Sequence, residues 1–353
     1  MKFSIIVPVY NRPEEVFELL NSLSEQTFFG FEIVLVEDGS TKPCAQVVEQ
    51  FRAQSSVSED DGSTNHCIQE AGKTRKRFPI QYIVKENTGR SDSRNVGMSH
   101  AKGDYFLFFD SDCILPPHYL ETVNRLLIDD YVDFFGGPDK ELPSFSPMQK
   151  AINYAMTSFW TTGGIRGGKK NMKRFEPRTF NMGFSRNVFE VVGGFRDMFG
   201  EDIDLCHRIR RSGFSIKLFS EAFVYHKRRV SLKKFYKQVH IFGQARINIH
   251  KLHPGSLRIV HTLPALAVSG SLILLLLAVL ISPWFLFLHA VYLLLLFTDS
   301  LVKTKNLRIA GLSLITSFIQ IIGYGIGFIN SFVKKVLLRQ GFEEYEKILK
   351  VYK

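Results

Sequence analysis

Tyr105-Phe106-Leu107-Phe108-Phe109-Asp110-Ser111-Asp112 is the stretch on which the fold turns. Its unbroken apolar run is too short for a buried helix and reads as a strand covered on both faces. A strand of that kind needs similar neighbours, and the sequence upstream supplies them. Phe3–Val9, Phe31–Val36 and Ile80–Val84 are short runs rich in Ile and Val. Each is followed by a helical segment: Glu14–Leu23, with Val16, Leu19, Leu20 and Leu23 on one face, then Cys44–Phe51 and Ser91–Ser99. The alternation predicts an α/β fold with an open, mostly parallel sheet flanked by helices, Tyr105–Phe109 at its centre. Ligands of such sheets bind beyond the carboxyl ends of the strands. Those ends carry Tyr10-Asn11, Glu37-Asp38, Glu86-Asn87 and Asp110-Ser111-Asp112, a polar and acidic edge.

The 353-residue chain is not uniform. Ser55 to Arg77 is polar, without apolar periodicity, and reads as a surface insertion (55–77). After Arg258 the composition changes: up to Lys303 the only acidic or basic residue is Asp299, and between Arg308 and Lys334 there is none. Thr262–Ile281 and Trp284–Val302 are each long enough to span hydrocarbon and are broken by Ser282-Pro283, so they predict a hairpin. Ile309–Val333 is a third, more polar candidate, with Gly323, Gly325 and Gly327 suited to close helix packing. The expected organisation is a water-soluble part at 1–250, a linker at 251–261, two or three transmembrane helices within 262–333, and a basic tail at 334–353.

Charge and cysteines set the surroundings. Lys and Arg number 45 against 34 Asp and Glu, a net charge of +11. With apolar spans present, basic clusters such as Lys227-Arg228-Arg229, Lys233-Lys234 and Lys334-Lys335 fit anionic membrane lipids. No nucleic-acid motif or basic–aromatic groove is present, so nucleic acid is not expected as a partner. Cys44, Cys67, Cys113 and Cys206 show no CxxC spacing and predict neither a zinc ribbon nor a disulfide framework. Met1–Val9 has too short an apolar run for a secretory leader, so the soluble part is expected on the cytoplasmic face, of the inner membrane in a bacterium. A hairpin then returns Lys303, Lys305 and Arg308 to the cytoplasm, as the positive-inside rule asks. A third full span would carry Lys334, Lys335 and Arg339 outside; the third segment is therefore re-entrant or interfacial, or the rule is overridden.

Several constellations carry chemistry, each with a plainer structural alternative. Asp110 and Asp112 can converge on one divalent cation that holds a diphosphate, and their place after a buried strand favours this over an ordinary acidic turn. Asp38 can accept from a nucleobase N–H or close an Asx turn at Gly39. Arg90 and Arg94, one turn apart at a helix start, can bind an anion or simply be solvated beside Asp92. Asp202, after Glu201, can cap a helix or act as a general base. His226, after the strand expected at Ala222–Tyr225, is a further metal ligand or a structural histidine. The basic stretch Gln238 to Arg246 can grip a diphosphate or a lipid phosphate, or be a solvated helix.

In order along the chain stand Ser4-Ile5-Ile6-Val7-Pro8-Val9-Tyr10-Asn11-Arg12, Glu37-Asp38-Gly39-Ser40, Gly89-Arg90-Ser91-Asp92-Ser93-Arg94-Asn95, Asp110-Ser111-Asp112, Gly193-Gly194-Phe195 and Glu201-Asp202. The set resembles glycosyltransferase family 2, the inverting nucleotide-sugar transferases of the GT-A fold, from Ser4 to about Arg246. The resemblance implies that Pro8, Tyr10 and Asn11 border the nucleoside, that Asp38 contacts the base, and that Arg90, Arg94 and Glu201 lie by the donor. It implies Asp110 and Asp112 at ribose and metal (Mn²⁺ or Mg²⁺), and Asp202 as the base that deprotonates the acceptor hydroxyl. The Gln-x-x-Arg-Trp signature of processive synthases is absent, which favours transfer of single sugars. The implied activity moves a sugar from a nucleotide-sugar donor, UDP the first choice, to a lipid-linked or cell-envelope glycan acceptor. Two alternatives stand beside it: polyprenyl phosphate as acceptor, and a non-catalytic, membrane-tethered nucleotide-binding scaffold.

Overall fold

A computed structural model of the chain describes residues 1–56, 67–70, 73–76, 78–142, 144–164, 175–227 and 231–340. The chain divides into two compact units that interleave in sequence: Met1–Lys140 with Met172–His226, and Glu141–Asn171 with Lys227–Lys353.

The first unit begins with β1 (Phe3–Val9), α1 (Pro13–Ser24), β2 (Phe31–Asp38) and α2 (Ala45–Ser56). A short antiparallel pair, β3 (Cys67–Glu70) and β4 (Lys73–Lys76), lies in the polar insertion, much of which is outside the described residues. Then come β5 (Ile80–Lys85), α3 (Arg90–His100), β6 (Tyr105–Phe108), β7 (Cys113–Ile114), α4 (Tyr119–Asp129), β8 (Phe134–Gly136) and β9 (Asp139–Lys140). The second unit opens with α5 (Pro147–Thr157) and α6 (Phe159–Thr162). The chain returns to the first for β10 (Met182–Ser185), α7 (Arg186–Val192), α8 (Glu201–Arg211), β11 (Ile216–Leu218) and β12 (Val224–His226). The second unit then takes α9 (Leu232–Leu252), α10 (Ile259–Leu280), α11 (Phe287–Thr304) and α12 (Leu307–Phe332).

The main sheet has seven strands in the order β11-β8-β10-β6-β1-β2-β5. The β6-β1-β2-β5 stretch is parallel throughout, and β10 alone runs antiparallel to its neighbours β6 and β8. Strand β6 is central, as its aromatic composition requires: Tyr105, Phe106, Leu107 and Phe108 are all buried. Alternate residues of one strand enter different cores. Phe3, Ile5, Val7 and Val9 of β1 pack with Val16, Leu19, Leu20 and Leu23 of α1 and Leu120, Val123 and Leu127 of α4. Ile6 faces the other layer, with Met98, Val188, Leu205 and Ile209. Each fully buried side chain of this size contributes about 1.5–3 kcal/mol. A second sheet, β7-β12-β9, takes up the strand expected at Ala222–Tyr225 as β12; its partners β7 and β9, two residues each, carry no periodicity to read.

In the second unit, α5 and α9 pack through Ile152, Ala155 and Met156 against Phe235 and Val239. Among the described residues, three helical segments are long and apolar enough to cross a membrane: Ile259–Leu280, Pro283–Thr304 and Leu307–Leu337.

Candidate functional site

The sequence-predicted residues meet where the parallel strands end. Beyond β1, Asn11 adopts a left-handed conformation (φ 55°) unusual for a side chain with a Cβ. The turn after β2 holds it there. The Asn11 N–H donates to Ser40 Oγ at 2.7 Å, and Asn11 Oδ1 accepts from Thr41 Oγ1 at 3.0 Å and the Lys42 N–H at 2.9 Å. Tyr10 beside it is half exposed. Glu37 is buried and closes the same turn, accepting from the Cys44 N–H at 2.7 Å, Tyr82 OH at 2.9 Å and Ser40 Oγ.

Asp38 is buried at the end of β2. Its two oxygens accept from the backbone N–H groups of Thr88 and Gly89, each at 3.0 Å, and Oδ1 also receives Lys85 Nζ at 2.5 Å. The structure thus ties Asp38 to the loop that starts α3, and Gly89 opens that helix with φ 98°. Asp92 turns away from the arginines to Lys85 and Thr88.

Arg90 and Arg94 converge on Glu201. Arg90 Nε lies 2.8 Å from Glu201 Oε1, and Arg94 Nη1 3.2 Å from the same oxygen. Arg94 is almost wholly buried; its Nη2 reaches Asp110 Oδ1 at 2.9 Å and its guanidinium covers the Phe195 ring at 5.5 Å. Asp110, Arg94 and Glu201 therefore form one chain of charges from the end of β6 to the start of α8. Asp202, next in α8, is engaged on both oxygens: Oδ2 by Arg178 Nη1 at 3.2 Å, Oδ1 by the Ile203 N–H at 2.8 Å. Burial alone would raise its pKa; Arg178, the Ile203 N–H and Arg90 outweigh that and hold the carboxyl below the ordinary aspartate value.

Asp112 lies between two cationic or potentially cationic groups. Arg12 Nη1 approaches Oδ2 at 2.5 Å, and His226 Nε2 lies 3.2 Å from Oδ1. Burial pushes the carboxyl up, but His226 and Arg12 more than reverse this and hold it well below the usual carboxylate range. His226 reaches this point because β12 pairs with β7 in the register His226 to Cys113, and its ring stacks on Phe180 at 4.9 Å. The ligand atoms of Asp112, Cys113 and His226 lie within 4.8 Å of one another. Asp112 Oδ1 is buried against His226 Nε2, and His226 Nδ1 is buried without a hydrogen bond among the described residues. A carboxylate and an imidazole left in this way fit a divalent cation with mixed oxygen and nitrogen ligands, Mn²⁺ more readily than Mg²⁺. Burial, with Asp110 and Asp112 close by, raises the Cys113 thiol pKa well above the ordinary value, and its Sγ donates to the Phe180 carbonyl at 3.4 Å.

Two residues of this site escaped the sequence reading. Arg178 lies in a loop with no periodicity, and Arg12, though inside a quoted motif, had no visible carboxylate partner until β1 and β6 were set side by side.

Comparison with known proteins gives the family and the fold. The chain is 32% identical over 136 residues to the glycosyltransferase GlyA of Streptococcus pneumoniae serotype 4, an alignment covering 38% of this chain and 16% of that protein. It is 36% identical over 135 residues to the poly(ribitol-phosphate) β-N-acetylglucosaminyltransferase TarS of Staphylococcus aureus, covering 38% of this chain and 20% of that protein. The matched region is thus a fifth or less of the length of these relatives. Among solved structures, the mannosyltransferase PcManGT from Pyrobaculum calidifontis, in complex with GDP-Man and Mn²⁺, superposes with a TM-score of 0.53 at 17% identity, covering 96% of this chain and 88% of that one, and shares the fold. The profile of the family described as Glycosyltransferase like family 2 matches residues 2–240, and the chain belongs to that family.

Proposed function

We propose that this glycosyltransferase moves a single sugar from a nucleoside diphosphate sugar to a hydroxyl of a lipid-linked or cell-envelope glycan, with inversion at the anomeric carbon. The carrying observation is the charge chain Asp110–Arg94–Glu201, which ties the strand-end carboxylates to the helix that bears Asp202. It fixes the diphosphate side of the cleft and the base in one frame.

Asp202 takes the proton from the acceptor hydroxyl. The freed oxygen bonds to the anomeric carbon as the bond from that carbon to the phosphate oxygen breaks, and its electron pair leaves with the nucleoside diphosphate. The depressed pKa keeps Asp202 ionised, and Arg178 orients it. Pro8, Tyr10 and Asn11 border the nucleoside, and Asp38 sets the loop of Thr88 and Gly89 beside the base. Asp112 and His226 would hold Mn²⁺, whose charge offsets that of the departing diphosphate. UDP is the first-choice carrier. The envelope acceptor is supported by the name of TarS, and the metal by the PcManGT complex, which carries Mn²⁺.

The test incubates full-length protein in native membranes with radiolabelled UDP-sugars and separates labelled lipid and glycan products. Wild type is expected to label one product, and Asp202→Asn to lose transfer by about 10²–10⁴-fold while still binding donor. Wild-type turnover by that variant would contradict the assignment.

A further inference from the structure

The third apolar helix resolves differently from the first two. We propose that α12 lies in the membrane interface, across the open end of the α10–α11 hairpin, and docks on a lipid surface rich in anionic headgroups. The proposal rests on the hairpin spanning the bilayer and is independent of donor or acceptor.

Depth fixes the argument. Gly325 of α12 crosses α10 so closely that an added Cβ would meet Pro264 O at 2.6 Å and Val268 Cγ2 at 2.8 Å. Ser313 of α12 meets α11 at Ser300, the hydroxyls 2.8 Å apart. Pro264 and Ser300 stand nearly the same number of residues from the Ser282-Pro283 break, about 26 Å of helix on either arm. With both arms crossing the bilayer from that break, the two residues stand at one depth. Ser313 and Gly325 are therefore both at that level, although about 18 Å of α12 separates them. A helix that crossed the bilayer beside the hairpin would change depth over that length; α12 runs across it.

The level itself is the interface. Asp299, beside Ser300, is ion-paired with Lys303 at 2.9 Å and accepts from Tyr154 OH at 2.7 Å, and charged groups in a span belong at its watery end. On its other side α12 carries α9, in step along its length. Gly243 abuts Tyr324 O, Gly327 abuts His240 O, Ser331 Oγ donates to Gln244 O at 3.4 Å, and Lys335 Nζ donates to Asn248 Oδ1 at 2.8 Å. Helix α9 also bears Lys233, Lys234, Lys237 and Lys251, so the half of α12 that it follows cannot sit in hydrocarbon.

Burial agrees. Of the most apolar 18 residues of each segment, 44% are buried in the segment containing α12, against 6% and 11% in those containing α10 and α11. The exposed apolar residues Ile315, Phe318 and Ile322 fall at helical spacing on one stripe. Lys305 and Arg308 flank its start and Lys334 its end, complementary to anionic headgroups. With both ends of α12 on one face, the positive-inside conflict disappears.

The test uses the full chain in sealed membrane vesicles, with an epitope in the Ser282-Pro283 break, in the Lys305-Asn306 turn, or after Lys353. Antibody access is compared before and after permeabilisation. The Lys305 and Lys353 epitopes are expected on one face and the Ser282 epitope on the other; a Lys353 epitope on the Ser282 face overturns the proposal. Where an insertion removes the chain from the membrane fraction, spin labels on Ile315→Cys and Ile322→Cys decide. One shallow depth for both supports it, and a difference on the order of 10 Å, the rise of a spanning helix over that interval, overturns it.

Discussion

Arg178 Nη1 and Asp202 Oδ2 stand 3.2 Å apart at the head of α8, and this pair governs how the site would respond to pH. A carboxylate held below its ordinary pKa stays ionised as the pH falls, so, with Asp202 as the proposed base, the acid limb of the pH–rate profile is expected below the ordinary aspartate range. Replacing Arg178→Met removes the strongest opposing charge and leaves burial to act. The acid limb is expected to move to higher pH, with kcat at neutral pH reduced and the donor KM little changed. An unmoved limb would separate Arg178 from the base.

Removing the buried cation of the charge chain is the severest structural test. Arg94→Met leaves Glu201 buried with only Arg90, and strips Asp110 of its arginine. Breaking a buried pair from one side costs about 3–5 kcal/mol, and the partial exposure of Asp110 places this case near the lower figure. Denaturant unfolding of the two proteins measures the difference. A change within about 0.5 kcal/mol would mean that the chain of charges is not structural.

Asp38 offers a way to tell a loop clamp from a base contact. Asp38→Asn keeps an oxygen for one backbone N–H but loses the pairing with Lys85 and one of the two acceptors. Loss of stability of about 1–3 kcal/mol, together with weaker binding of every nucleotide tested, is the expected result. Unchanged stability with a switch of base preference would assign Asp38 to base recognition alone.

Glu32 ties β2 to its surroundings: it accepts from Ser4 Oγ at 2.7 Å, the Lys102 N–H at 2.5 Å and Gln81 Nε2 at 3.0 Å. Burial would raise its pKa, but these donors outweigh it and the folded value is lowered. A depressed carboxyl stabilises the fold fully above its unfolded pKa of about 4.3, and that stability is lost as pH falls through the folded value. Glu32→Gln is therefore expected to destabilise at neutral pH by about 1–3 kcal/mol and to flatten the acid arm of a Tm–pH curve. Parallel curves for the two proteins would contradict this.

The parallel part of the fold was legible because its signals are local. The apolar runs of β1, β2 and β6 are buried on both faces and announce themselves, and polar groups follow each of them; β5, at the edge of the sheet, is only partly buried but keeps the same Ile- and Val-rich run. Helix α8 was readable from Leu205 and Ile209, and Asp202 from its place at the helix start. Antiparallel β10 and the short β7 and β9 were not, because so few residues without an unbroken apolar run give no signal, whereas the strand expected at Ala222–Tyr225 is present as β12, Val224–His226. The partners inside the site were hidden for a different reason. Arg178 meets Asp202 and Arg12 meets Asp112 only through tertiary register, and no spacing along the chain encodes that. His226 stood open as ligand or bystander in sequence; the pairing of β12 with β7 brings it beside Asp112.

The central claim, that the strand ends form a nucleotide-sugar site with a cation at Asp112, is tested most directly by calorimetric titration of detergent-purified full-length protein. UDP-, GDP- and dTDP-sugars are titrated in turn, with Mn²⁺ and then with EDTA. The account predicts that one donor binds only with the metal, and that Asp112→Ala abolishes this binding while the protein still unfolds cooperatively. Binding of no donor under any condition, or equal binding in EDTA and in Asp112→Ala, would contradict it.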